Sequence, residues 1–157
     1  MRIWSKFVDE YFTPALSMIG WHLMVRRIAQ KIAKDELEEI LSHIPLKEQR
    51  DKWATVAGDS FTEEQLADSR RRIGVSMQRM EKILAESPWL AGRSYSLADL
   101  NSYSIVDGAS RICPEHVNEK GTPRSVAWLA KRTARPAVQA AMAMPNLVPE
   151  TFRTFGA

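Results

Sequence analysis

The sequence predicts an all-α protein, a bundle of five to six helices, and three observations lead there. Its seven glycines and eight prolines never form an Asn-Gly or Asp-Gly hairpin turn flanked by alternating apolar and polar residues, so strands have no signal. Apolar residues recur instead at spacings of three, four and seven, the period of a helix with one buried face. Two capping boxes then mark helix starts directly. With 157 residues, 45% hydrophobic and 26% charged, the chain is close to the roughly 150 residues of an average domain, so we read residues 1–157 as one. A chain of that size hides about two-thirds of its unfolded surface, enough for a core without disulfides or metals.

The first helix is predicted over residues 3–34. Trp4, Phe7, Tyr11, Ala15, Met18, His22 and Val25 fall at helical spacing, with Ile19, Leu23 and Ile28 as a second stripe beside them. A helix apolar over so much of its circumference needs cover on more than one side, which predicts a partner surface beyond the bundle. Pro14 cannot donate to the carbonyl of Glu10, so a bend without a break is expected there. From residue 35 to 60 the pattern weakens, and we read a connector with one short helix containing Trp53.

The next helix is announced by Thr62 as N-cap, Gln65 as its capping-box partner, and Phe61 with Leu66 as a hydrophobic staple. Leu66, Ile73, Met77, Met80 and Leu84 form one seam, with Arg70, Arg71 and Arg72 on the other sides, until Ser87-Pro88 stops the helix. A second box follows: Ser96 as N-cap, Asp99 at the third helical position, Tyr95 and Leu100 as staple. That helix should end before Pro114, and its seam of Ala98, Ser102, Ile105, Ala109 and Ile112 is slim enough for a neighbour to approach closely. Two shorter helices are expected, one from Thr122 as N-cap with Pro123 at its first position, the other starting at Pro136.

Several chemistries lack support. The histidines at 22, 43 and 116 are too far apart for a local metal pair and one cysteine adds little, so no metal is expected. No Gly-x-Gly or Gly-x-Ser-x-Gly occurs, which leaves dinucleotide binding, phosphate cradling and serine hydrolysis without a motif. Cys113 precedes Pro114 at a helix end, where the dipole disfavours a thiolate, so its expected role is packing. With a single cysteine the chain cannot close a disulfide on itself, and a reducing, cytoplasmic setting is expected. The uncharged stretches at 11–25 and 136–149 are short and hold prolines, which argues against a membrane span. A net charge of +3, and an arginine run without interleaved aromatics, argue against nucleic acid. The most suggestive group is on the first helix, where Tyr11, Met18, Trp21 and His22 would line an apolar pocket with a few polar handles, although the same stripe also serves as ordinary core.

The run Trp-Leu-Ala-Gly-Arg-Ser-Tyr-Ser-Leu-Ala-Asp-Leu from Trp89 to Leu100 resembles the segment of glutathione S-transferases that enters the sixth helix of the complete enzyme. Pro123, Val126, Trp128 and Leu129, followed by Arg135-Pro136-Ala137-Val138, are similar to the next helix and its Arg-Pro break in bacterial members. The whole chain is compatible with the all-helical C-terminal domain of that family. Family members begin with a thioredoxin-like domain that binds glutathione, and this chain begins about where that domain should end.

The resemblance implies that Tyr11, Met18, Trp21 and His22 belong to the side that receives a hydrophobic electrophile, whereas Ser96 and Asp99 cap a central helix. Glutathione is then a co-substrate only if the thioredoxin-like domain is supplied, and the chain is not expected to be fully active alone. The expected partners are a second copy in a homodimer, or a thioredoxin-like domain, together with a hydrophobic small molecule. A different reading is a non-catalytic protein–protein interaction module of the same helical type.

Overall fold

The leading segment follows its apolar stripes into a single helix, α1, over residues 2–29, widened by two π-turns at Val8–Phe12 and Trp21–Val25. The first π-turn lies just ahead of Pro14: Thr13 N donates five residues back to Val8 O. The wider turn relieves the crowding that a ring at Pro14 would impose on a tight α-ladder, so the helix passes the proline unbroken. The helix ends at Ala29 and not at Lys34, because Ala33 turns extended and starts α2 (Lys34–Ser42) with Asp35 and Glu36 in its first turn, where the dipole favours them. The computed structural model describes residues 2–58 and 60–145.

Residues 35–60 hold two helices, not one: α2 and α3 (Lys47–Ala57). Helix α2 buries none of its residues, and its apolar stripe is short, only Leu37, Ile40 and Leu41, among acidic neighbours. Then come α4 (Glu63–Glu86), α5 (Leu97–Ile112), α6 (Pro123–Thr133) and α7 (Pro136–Met142), giving seven helices and no strand among the described residues. Helix α4 begins through its capping box, with Gln65 N donating to Thr62 Oγ1 at 3.2 Å and Thr62 N donating to Gln65 Oε1 at 2.9 Å.

The core lies where α1, α4 and α5 meet. Trp4, Val8, Phe12 and Ile19 of α1 are buried in one cluster with Ile73, Met77 and Met80 of α4 and with Val106 and Ala109 of α5. Each such large side chain contributes about 1.5–3 kcal/mol on leaving water, so this junction outweighs any surface ion pair. The slim seam of α5 lets α1 come close: Trp4 Nε1 donates to Ser102 Oγ at 2.7 Å, and a Cβ at Gly108 would stand 3.2 Å from Leu16 Cδ2.

Two buried carboxylates tie the remaining pieces together. Asp99 is fully buried; its Oδ1 accepts from Leu90 N at 3.0 Å and Trp128 Nε1 at 2.9 Å, and its Oδ2 accepts from Ser96 N and Ser96 Oγ, both at 3.0 Å. Ser96 Oγ in turn accepts from Ala98 N at 3.2 Å. Helix α6 is capped differently from the expectation. Thr122 occupies the N-cap position, but its hydroxyl accepts from Asn118 N at 3.1 Å and donates to His116 O at 3.2 Å, inside the preceding loop. The α6 donors go to Glu81 of α4, whose carboxylate accepts from Arg124 N at 3.0 Å and from Ser125 N and Oγ, both at 2.9 Å. Burial alone would raise the pKa of Glu81, yet these hydrogen bonds prevail and hold it below its ordinary value.

Candidate functional site

The α1 residues singled out above reach different neighbours. Tyr11 stacks on Phe7 with ring centroids 5.2 Å apart, and the guanidinium of Arg72 lies 4.4 Å from its ring centroid while donating to Tyr11 O at 3.0 Å. One turn of α4 earlier, Ser69 Oγ donates to Met18 Sδ at 3.2 Å. His22 Nδ1 is 3.0 Å from Ser60 Oγ, in the loop that leads into α4. Tyr11, Met18 and His22 therefore share the α1 face that looks toward α4 and its lead-in loop. Trp21 points elsewhere, edge-on to Trp53 of α3 at 5.5 Å between centroids. No described hydrogen bond or ring pair joins two of these four residues to each other.

The second π-turn contains both Trp21 and His22, so the bulge sets the angle between the α3-facing ring and the loop-facing imidazole. Ser60, the partner of His22, has φ +68, in the left-handed region that a residue with a Cβ rarely enters. Its own N–H is satisfied by Thr55 O at 2.8 Å, which holds the hydroxyl opposite the imidazole. Both side chains are half-buried, so the pair presents a polar contact that is partly open to solvent. Helix α1 is incompletely covered toward both of its ends: Ile3, far from this pair, is 79% exposed, and Met24, two residues beyond His22, is also exposed.

Sequence reasoning missed Ser60, Trp53 and Arg72 as neighbours of this face. The spacing places Arg72 with Arg70 and Arg71 on the sides of α4 away from its apolar seam. In the fold, Arg70 pairs with Glu115 at 3.3 Å and Arg71 with Asp68, whereas Arg72 folds over an aromatic ring that comes from another helix. The spacing of α4 alone gives no sign of that ring. Cys113 is buried and its thiol is pushed up to about 11, chiefly by burial and then by Glu115, with Arg70 opposing. Among the described residues no cluster of His, Cys, Asp or Glu is arranged to hold a metal ion, and no helix is long and apolar enough to cross a membrane.

None of these four residues lines any of three described cavities: about 520 Å³ between α5, α6 and α7, about 460 Å³ beside the end of α1 with α2 and α3, and about 230 Å³ near Pro88 and Trp128.

Comparison with known proteins decides the family. The family described as "Glutathione S-transferase, C-terminal domain" matches residues 47–144. The chain belongs to the glutathione S-transferase C-terminal domain family. Protein LigF of Sphingobium sp. (strain NBRC 103272 / SYK-6) is 40% identical over 143 residues, which cover 88% of this chain and 55% of LigF. The crystal structure titled beta-etherase LigF superposes with a TM-score of 0.84 at 38% identity, covering 90% of this chain and 60% of that one. Glutathione transferase F7 from Populus trichocarpa has the same fold at 21% identity, with a TM-score of 0.60 over 92% of this chain and 55% of its own. This glutathione S-transferase-like chain thus spans a little over half the length of the relatives it matches. As the family name states, glutathione is the co-substrate of such enzymes.

Proposed function

We propose that this chain supplies the hydrophobic, electrophile-binding side of a glutathione transferase-type β-etherase and part of its dimer surface. The observation that carries the proposal is the fit to LigF, a beta-etherase, over 90% of this chain. An etherase breaks a C–O bond and a glutathione transferase makes a C–S bond, so the two names describe one displacement. The glutathione thiolate attacks the carbon bearing the ether oxygen, the C–S bond forms as the C–O bond breaks, and the alkoxide or phenoxide leaves with the electron pair and takes up a proton.

On this reading the residues of α1 and its neighbours work on the ether and leave the thiol to the glutathione side. Tyr11 and Met18 offer apolar and polarisable surface, Trp21 with Trp53 forms an aromatic edge, and the His22–Ser60 pair gives a polar contact to orient an ether or carbonyl oxygen. Excluding water from that face strengthens the polar contact and keeps the thiolate from being quenched. Binding and activating glutathione falls to a thioredoxin-like domain, whether joined to this chain or separate, and the chain alone is not fully active. The assembly works in the cytoplasm as a homodimer, where Cys113 stays reduced.

The test is glutathione-dependent release of a fluorescent phenol from a β-aryl ether, measured for the chain alone and with the N-terminal portion of LigF added. We expect no turnover alone, binding of the ether by the chain, and at least tenfold weaker binding in His22→Ala, the loss of one half-buried polar contact. Turnover by the isolated chain at the rate of a full-length enzyme would overturn the division of labour. A stable heteromeric protein partner with no ether binding would make the chain an interaction module.

A further inference from the structure

We propose that the cavity between α5, α6 and α7 is a separate binding site for an aromatic carboxylate. At about 520 Å³ it is in the size range of small-molecule sites, and its wall is mostly apolar, with Leu100, Val138 and Met142 among the lining residues. Its polar groups are two arginines and two tyrosines. Arg132 is only 4% exposed, and its guanidinium stands 4.7 Å from the ring centroid of Tyr103 and 5.1 Å from that of Tyr95. Arg135 crowds the same Tyr95 ring at 4.0 Å.

Two positive groups therefore share one aromatic ring, and among the described residues neither has a carboxylate within ion-pair distance, nor does any Asp or Glu line the cavity. The carbonyl end of α6 and the ring faces offset part of that charge, but Arg132 Nε is buried and donates to nothing. Arg26 Nε and Arg72 Nε are orphaned in the same way, so what sets this place apart is that two guanidinium groups, neither with a carboxylate partner among the described residues, converge on one apolar cavity. A carboxylate matches the planar guanidinium fork, and a flat aromatic body matches the tyrosine and aliphatic walls. A neutral ligand leaves the charge unanswered, and an inorganic anion leaves the apolar wall wet.

The cavity shares no lining residue with the α1 face, so the two proposals fail independently. The probe is 2-naphthoate, titrated into the full chain by calorimetry, with 2-naphthamide as its uncharged counterpart. We expect 2-naphthoate to bind, the amide to bind at least tenfold more weakly, and added salt to weaken only the acid. Arg135→Gln should lower the affinity for the acid roughly tenfold or more, the usual effect of losing a charged hydrogen bond. Leu100→Glu, at a half-exposed position on the rim, should do the same by placing a negative charge in the wall. Equal binding of acid and amide, no binding at millimolar concentration, or an affinity unchanged in both variants would overturn the proposal. The acid–amide comparison needs no variant, so it decides the matter even if a substitution impairs folding.

Discussion

Asp99 accepts four hydrogen bonds while fully buried, and the donors come from the loop before α5, the start of α5 itself and the indole of α6. Replacing it with alanine removes a cap and strands the buried N–H groups of Leu90 and Trp128. We expect Asp99→Ala to destabilise the fold by about 3 kcal/mol or more, measured by urea denaturation. Glu81 acts the same way at α6 and adds a pH dependence. Its folded pKa lies below the ordinary 4.5, so its contribution is fully present above that value and is lost as pH falls through the folded value. Glu81→Gln should therefore cost about 1–2 kcal/mol at pH 7, and the difference from the parent should shrink below pH ~4 in melts across a pH series. Cys113 is buried with its thiol pushed up to about 11, so a thiol reagent at pH 8 should label the native chain far more slowly than the urea-unfolded one.

Among elements, α4 and α5 were readable from the sequence nearly to the residue, because each begins with a capping box whose partners, Thr62 with Gln65 and Ser96 with Asp99, stand three residues apart. Helix α6 was readable in position only. Its cap comes from Glu81, which precedes Ser125 by a whole helix and a loop, and nothing local marks that acid as different from its exposed neighbours. Helix α2 escaped detection because its apolar stripe is only Leu37, Ile40 and Leu41 and no side chain caps its start at Ala33. Gly92, in the turn that leads to α5, has φ +116 with no atom within 4 Å of where a Cβ would stand. Gly92→Ala should thus cost about 1–3 kcal/mol through backbone strain alone. Gly108 lies against Leu16 where α5 meets α1. Gly108→Val should destabilise by about 1–3 kcal/mol by forcing those helices apart, and Leu16→Ala in the same chain should recover part of that loss in thermal melts.

At the scale of the molecule, the expectation that α1 carries more apolar surface than the bundle covers meets a graded outcome. Trp4, Val8, Phe12 and Ile19 are inside, while Ile3 and Met24 face outward. The exposed remainder is where a second copy, a thioredoxin-like domain or an apolar ether would gain most from leaving water. Light scattering with and without the N-terminal portion of LigF should separate the first two, as a concentration-dependent dimer of this chain or as a one-to-one complex.

The sequence by itself determined the helical class, the family, and the beginnings of α4 and α5, since periodicity and capping are short-range properties that survive in a string of letters. Only the tertiary structure decided that Arg72 covers Tyr11, that Ser60 meets His22, that Glu81 starts α6, and that Arg132 and Arg135 converge on Tyr95. Those pairings join residues 37–61 positions apart. Contacts over such separations are fixed by how whole helices pack, and packing is a property of the assembled surfaces and not of any one segment.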